Sequence, residues 1–584
     1  MWKSLWRLRE VAGKYSAMLG FGILCFFGAR VFEAQVPLYL KEGIDRIAAG
    51  NADVTWPVLA IIGAVVARFF IVSAARYTVR QAGLRIAFDL RQQLFSTLQG
   101  QGSAFYNRYG IGDMMTRAVA DISLIQRLFS MGTILLVILL FATVVGFYYM
   151  LRLSPELTLL ILPPMPFVFW YAWYSSREMG LTSLAVQERM SQMSEQVQEN
   201  LTGIRTIQAM VQEDNEVQRF AATNQLYANA FFEQARINSL MMAVMPSMVA
   251  ICTITILGYG GNMVLEDKIS IGTFVAFFTY VGMVVQPFRV AGFIVNLFQR
   301  AAVASDRVYE VLDRAPEHAD TPSGKTPALI RGDIELKNLS YTYPGASTPS
   351  LSGIDLRIQP GETVAIMGRV GSGKTTLLRS LVRLVDAPQE SVLIDSHDVF
   401  DYPLSRLRAQ LALVPQDPFL FAETLQHNIT YDKPDRQLDA IWQAADAADL
   451  RRTLEGFPDG LDTLVGERGV TLSGGQKQRT TLARGLIRNA PVLLLDDCFA
   501  SVDTATEEHI LRHLRELRQN QTTLLVSHRV STARHADRIV VLEEGRIKEI
   551  GSHNELLASG GIYAELERIQ REGATEDSGS VSIS

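Results

Sequence analysis

The chain has 584 residues, several times the roughly 150 typical of one domain, so more than one packed core is required. Hydrophobic residues make up 48% and charged residues 20%, and mean hydropathy is +0.13, which excludes a disordered chain and an ordinary soluble enzyme and requires that part of it lies in lipid. A formal net charge of -5, from 55 Lys+Arg against 60 Asp+Glu, excludes a basic nucleic-acid-binding protein.

In chain order, apolar runs cover 16–40, 54–73, 131–151, 157–173, 240–265 and 271–298. Each approaches or exceeds the about 20 residues that cross a bilayer as a helix, so six transmembrane helices are expected. Lys3, Arg7 and Arg9 precede the first run, but that run is too long for a signal h-region and has no clear small-residue cleavage site, so it reads as a retained anchor. Arg76, Arg80, Arg85 and Arg91 follow the second run, and Arg177, Arg189, Arg205, Arg219 and Arg236 follow the fourth. The intervening connections near Arg46, Arg152 and Lys268 are short and poor in excess positive charge, so the positive-inside rule puts both termini in the cytoplasm.

The two inner connections, about 74–130 and 175–239, carry few helix breakers and are expected to extend the membrane helices into the cytoplasm. Polar and ionisable groups at membrane depth, Arg30, Glu33, Arg68, Gln286, Arg289 and Asn296, are costly there and fit either an interior cavity or snorkelling and structural pairing, with Arg30 and Glu33 placed to neutralise each other. Pro246 and Pro287 are candidate kinks, and Met241, Met242, Met245 and Met248 fit either an adaptable apolar cavity or helix packing. Cys25 and Cys252 lie in apolar runs and Cys498 follows a strand, so neither a disulfide framework nor a metal cluster is expected.

Prolines and small polar residues mark a linker at 315–330, closing a transmembrane domain of 1–314. Short β-branched strands alternating with helical stretches then read as a soluble α/β domain over 331–572, followed by a polar disordered tail at 573–584.

After an apolar strand ending near Met367 comes Gly368-Arg369-Val370-Gly371-Ser372-Gly373-Lys374-Thr375, a complete G-x-x-x-x-G-K-[ST] between strand and helix, continued by Thr376. Its glycines let backbone N–H groups converge on phosphate oxygens, Lys374 reaches the β- and γ-phosphates, and the Thr375 hydroxyl suits Mg²⁺. A second strand, Val492-Leu493-Leu494-Leu495, ends in Asp496, placed to complete the Mg²⁺ shell.

Between them stands Leu472-Ser473-Gly474-Gly475-Gln476. The order of phosphate loop, LSGGQ and acidic strand resembles the ATP-binding cassette family, and the preceding membrane helices resemble its half-size exporters. The resemblance covers nearly the whole chain. It implies an all-α six-helix transmembrane domain followed by an α/β P-loop NTPase domain, ATP and Mg²⁺ as cofactors, and a multi-pass protein of a bacterial inner membrane.

It further implies that Ser473, Gly475 and Gln476 serve a partner's nucleotide, that Tyr343 stacks on adenine, that Gln416 senses Mg²⁺ and the attacking water, and that His528 contacts the γ-phosphate. Ala500-Ser501-Val502-Asp503 resembles the loop that crosses toward the other cassette, and Gly466-Glu467-Arg468-Gly469 the segment that touches the partner's inner helices. Phe105-Tyr106-Asn107-Arg108 through Gly112-Asp113, and Glu199 to Arg205, resemble the two cytoplasmic coupling segments.

One position departs from the family. Asp497 stands where the base is usually Glu, which withdraws the carboxylate by roughly 1.5 Å, and a misplacement near 1 Å already costs about 10²-fold. The expectation is a heterodimer with a second half-transporter that supplies the glutamate, exporting hydrophobic or amphipathic molecules through a lipid bilayer. The alternatives are a homodimeric lipid or peptide exporter and an ATP-gated channel or regulator.

Overall fold

The structure, a computed structural model, describes residues 2–51, 53–285, 291–317, 329–466, 469 and 472–579. The chain divides into two compact units, Met1–Gly100 with Tyr109–Ala315, and Gln101–Arg108 with Pro316–Ser584.

The first unit is helical. Long apolar stretches give Ser16–Ala48, which keeps Pro37 inside it, Thr55–Gln99 and Ile111–Leu153, each long and apolar enough to cross a membrane. Thr55–Gln99 has 45 residues and is therefore roughly 65 Å long, about twice the hydrocarbon core. Pro164–Thr202 and Glu213–Thr255 are of similar length, so the inner connections do continue as helix. Of the six expected spans, three helices among the described residues meet the length and hydropathy requirement for crossing a membrane, and shorter apolar helices stand at Ala250–Leu265 and Ile271–Val285. Pro163 and Pro164 explain the fourth run, because residues 162–163 separate Pro155–Ile161 from Pro164–Thr202. The sixth run enters residues 286–290, outside the described residues together with Gln286, Pro287 and Arg289.

Small side chains let these helices approach closely: a Cβ on Gly22 would collide with Val79, and Ala75 packs beside them with Phe26. Arg30 pairs with Glu33, as the three-residue spacing predicts, and Arg68 Nη2 reaches the other oxygen of Glu33 at 3.3 Å. Buried Tyr280 donates to the Ala34 carbonyl at 2.6 Å. Pro246 lies within Glu213–Thr255, Met241 packs against the apolar core and Met242 is exposed, and the side chains of Met245 and Met248 lie outside the description.

The second unit contains two sheets. β1 (Ile334–Tyr341), β2 (Leu351–Ile358), β4 (Val392–Ile394) and β5 (His397–Asp398) form an antiparallel sheet in the order β2-β1-β4-β5. The larger sheet runs β10-β9-β3-β8-β7-β6, where β3 is Thr363–Gly368, β6 Leu411–Val414, β7 Val492–Asp496, β8 Thr522–Val526, β9 Arg538–Glu543 and β10 Arg546–Gly551. From β9 to β6 all neighbours are parallel, and β10 is an antiparallel edge. Continuous apolar strands such as Thr363–Gly368 suit a parallel sheet covered on both faces. Their alternation divides the core: Val364 and Ile366 join Leu494 and Leu524 on one face, whereas Ala365 and Met367 join Leu493 and Leu525 on the other. Each such fully buried Val, Ile or Leu contributes about 1.5–3 kcal/mol.

Gln101–Arg108 groups with the second unit, where Phe105 is 4% exposed and the Gly102 N–H donates to Glu317 at 2.8 Å. The last helix is Ile562–Gly579, and residues 580–584 lie outside the described residues. Residues 318–328 of the expected linker also lie outside them. All three cysteines are free, with Cys252 and Cys498 buried and Cys25 half-buried.

Candidate functional site

In a parallel sheet the loops at the carboxyl ends of the strands converge, and ligands bind there. Here Ile366, Val526 and Asp496 are paired across β3, β8 and β7, and Val414 lies two residues before Gln416 at the end of β6. The phosphate loop leaves β3, Asp496 and Asp497 close β7, and His528 follows β8 by two residues. These elements line one cavity of about 240 Å³ that includes Gly371, Ser372, Gly373, Lys374, Thr375, Thr376, Gln416, Asp496, Asp497 and His528.

The loop geometry requires glycine. Gly373 caps the helix Lys374–Leu381 at φ 97°, where a Cβ would also collide with the Ser350 carbonyl oxygen. Gly368 and Gly371 are likewise at positive φ. Gly373→Ala is expected to weaken nucleotide binding at this site by at least about tenfold; equilibrium titration of the purified protein with a fluorescent ATP analogue checks it, and unchanged affinity would refute the strain argument.

Lys374 is 6% exposed, and its Nζ donates to the carbonyls of Gly368 and Arg369 at 2.9 and 2.8 Å and to Ser372 Oγ at 3.3 Å. The Thr375 hydroxyl donates to Asp496 Oδ1 at 3.0 Å. Gln416 Nε2 donates to Asp497 Oδ2 at 3.3 Å, and His528 Nε2 stands 4.0 Å from the same oxygen. Thr376 Oγ1 meets Ser350 Oγ at 2.9 Å and the Tyr343 hydroxyl at 3.3 Å, so Tyr343 touches the loop's helix without lining the cavity.

Burial sets the electrostatics. It lowers the Lys374 ammonium below its ordinary value, while Asp497 and Asp496 act in the opposite direction. It raises both the Asp496 and Asp497 carboxyls above the usual carboxylate range, opposed by the Thr375 hydrogen bond and by His528 respectively. Three charged groups held at a desolvation cost favour ligands that supply compensating charge, such as a phosphate beside the lysine and a divalent cation beside the carboxylates. The Thr375 hydroxyl and Asp496 carboxylate form the hard oxygen set that suits Mg²⁺.

Ser473, Gly475 and Gln476 do not join this cavity. Ser473 is the exposed cap of the helix Gly474–Leu486: its Oγ accepts from the Gln476 N–H at 3.3 Å and Gln476 Oε1 accepts from the Ser473 N–H at 2.9 Å. A Cβ on Gly475 would lie 2.9 Å from the Ser501 carbonyl oxygen, so the loop Ala500–Asp503 packs directly on this helix start. Glu467 and Arg468 lie outside the described residues.

Three contributors carried no sequence signal. Ser350 lines the cavity from far upstream of the loop. Gln478 accepts from the Ser501 N–H at 2.8 Å. Arg529, next to His528, donates to the Val502 and Ala500 carbonyls at 3.2 and 3.3 Å and to buried Glu507 at 2.5 Å, tying the segment after β8 to the Ala500–Asp503 loop.

Residues 19–288 match the family described as ABC transporter transmembrane region, and residues 351–500 the family described as ABC transporter. An ATP-dependent lipid A-core flippase of Thiobacillus denitrificans (strain ATCC 25259 / T1) is 33% identical over 92% of this chain and 93% of its own length. The chain belongs to the ATP-binding cassette transporter family. It is also 33% identical, over 96% of both chains, to a Bacillus subtilis (strain 168) protein named "Probable multidrug resistance ABC transporter ATP-binding/permease protein YheI". The solved structure of a bacterial Atm1-family ABC exporter with ATP bound superposes with a TM-score of 0.77 at 25% identity, covering 95% of this chain and 99% of that one. The chain is thus an exporter half-transporter with membrane region and cassette fused, a multi-pass integral membrane protein whose cytoplasmic cassette binds ATP and couples its hydrolysis to transport.

Proposed function

We propose that this chain is one subunit of an exporter of hydrophobic or amphipathic molecules, paired with a second half-transporter that carries Glu after its strand aspartate. In this reading residues 1–314 form the membrane part and 331–572 the cassette, joined through 315–330. The observation that carries a site shared by two chains is its division: Lys374, Thr375, Asp496 and Asp497 share one cavity, while Ser473 caps a helix outside it with its hydroxyl side exposed; Asp497 in the base position is what supports an unlike partner. An exposed helix start outside its own phosphate-loop cavity suits a γ-phosphate bound by another chain. Met210 and Val211, 67% and 80% exposed beside the segment Glu199 to Arg205, add an apolar tip that suits a partner.

Within this chain's own site the phosphate loop and Lys374 hold the phosphates, Tyr343 stacks on adenine, and Thr375, Asp496 and Gln416 would hold Mg²⁺, which would neutralise charge on the β- and γ-phosphates. His528 contacts the γ-phosphate. Asp497 orients the attacking water and accepts its proton slowly, being one methylene shorter than Glu. ATP binding then closes the two cassettes, and hydrolysis at the partner-equipped site resets them. The relatives named as a lipid A-core flippase and a multidrug transporter support an amphipathic cargo.

A homodimer is the second reading, favoured by the Gln416 hydrogen bond that holds the Asp497 carboxylate in the cavity. Purification of the tagged chain from its native membrane separates the two: co-purification of a second half-transporter in equal amount is expected, and recovery of this chain alone as an active dimer would overturn the heterodimer. Uphill, ATP-dependent flux in vesicles distinguishes an exporter from an ATP-gated channel, which dissipates gradients only.

A further inference from the structure

The helical unit holds a cavity of about 820 Å³, toward the upper end of the roughly 300–1,000 Å³ that small-molecule sites occupy. Three separate stretches build it: Ala120 to Leu124 of Ile111–Leu153, Trp173 to Gln187 of Pro164–Thr202, and Val295 to Arg307 of Ala291–Leu312. Residues Arg117–Asp121 form a π-helical turn at its edge, a local widening that is common at functional positions.

Its lining has two characters. Trp173, Leu181, Leu184, Val295 and Val303 are all between 47% and 62% exposed, an apolar surface that buried packing has not consumed. The charged lining is Arg177, Arg300 and Arg307 against Asp121, three positive groups to one negative. Arg307 already pairs with Asp113 at 2.6 Å and lies 3.4 Å from Asp121, so the single carboxylate in the lining has its counter-ion. Arg177 and Arg300 form neither hydrogen bonds nor ion pairs among the described residues, and both are exposed to the cavity. Two solvent-accessible guanidinium groups without partners among the described residues, beside apolar walls, offer planar donor forks that match a forked anionic group.

We propose that this cavity binds an amphipath with an anionic headgroup, phosphate or carboxylate, held by Arg177 and Arg300, with its apolar chain along Trp173, Leu181 and Leu184. This narrows the cargo class and rests on the exporter reading above. The cavity's net positive lining disfavours the cationic amphipaths that an all-apolar cavity would accept equally.

The test is equilibrium binding of a fluorescent long-chain alkyl phosphate, and of its trimethylammonium counterpart with the same chain, to the detergent-solubilised full chain. The alkyl phosphate is expected to bind about tenfold more tightly. Arg177→Gln with Arg300→Gln is expected to remove that preference, and Arg177→Lys with Arg300→Lys to retain most of it, which separates charge recognition from collapse of the fold. Equal or tighter binding of the cation, or an undiminished preference in the double Gln variant, overturns the proposal. Inorganic phosphate alone is expected not to displace the alkyl phosphate at millimolar concentration; displacement would make the ligand a free anion and also overturn it. ATP-dependent translocation of the alkyl phosphate in vesicles is read separately. Selective binding without translocation supports the site and refutes the exporter reading, whereas translocation of the cation alone refutes the site and leaves the exporter reading standing.

Discussion

Ser473→Arg is expected to abolish most ATP turnover of the assembled transporter, by about 10²-fold or more, while ATP still binds both phosphate loops. Ser473 does not line the cavity formed around Lys374, so a substitution there leaves this chain's own phosphate contacts intact. Its known local role is the helix cap, in which Oγ accepts from the Gln476 N–H. Losing a cap costs about 1 kcal/mol, too little to unfold a cassette. Any large loss of turnover must therefore come from bulk and charge placed where another chain's γ-phosphate binds. Steady-state ATPase and nucleotide binding on the same preparation check this, and full activity in the variant would refute the trans role.

Asp497→Asn decides between the two assemblies. Asp497 sits at φ 44°, in the left-handed region that Asn tolerates as well as Asp, and its N–H bonds to the Val526 carbonyl at 3.0 Å. The Asn side chain still offers an oxygen to Gln416, so the substitution removes the carboxylate's basicity and leaves the backbone undisturbed. In the heterodimer, steady-state ATPase is expected to change by less than about tenfold, because the main pathway uses the partner's carboxylate. Replacing that glutamate by glutamine is expected to cost about 10² or more, as loss of a general base does. In a homodimer Asp497→Asn removes nearly all activity, since each site depends on it. Near-total loss sinks the heterodimer, and near-normal turnover excludes the homodimer.

Much of the nucleotide site was readable because its parts are short and contiguous. A strand, a G-x-x-x-x-G-K-T loop and a helix are neighbours in the chain, so Gly368 to Thr376 needed no long-range contact to be recognised. Asp496 was read from the end of an apolar strand, whereas Gln416, Asp497 and His528 were placed by resemblance to a family, since nothing local to Val-Pro-Gln or Val-Ser-His states what lies beside it. Ser350 and Arg529 escaped because a serine in a loop and an arginine after a histidine have no distinctive local pattern. The membrane helices were legible as apolar runs, but their ends and interruptions were not, because a hydropathy run does not register where proline divides a helix.

The sequence by itself determined which segments are apolar enough to leave water and where the phosphate loop begins, because each is a property of consecutive residues; that Asp497 is one methylene short came from comparison with the family. Tertiary structure alone decided that β3 lies between β8 and β9 with β7 and β6 beyond, which carries Asp496, His528 and Gln416 to one strand edge from positions more than 40 residues from the loop. It also decided that Arg177 and Arg300 share a cavity. The physical reason is the same in both cases: periodicity tells which face of a strand or helix is buried, whereas the neighbour it is buried against is chosen by the packing of the whole chain.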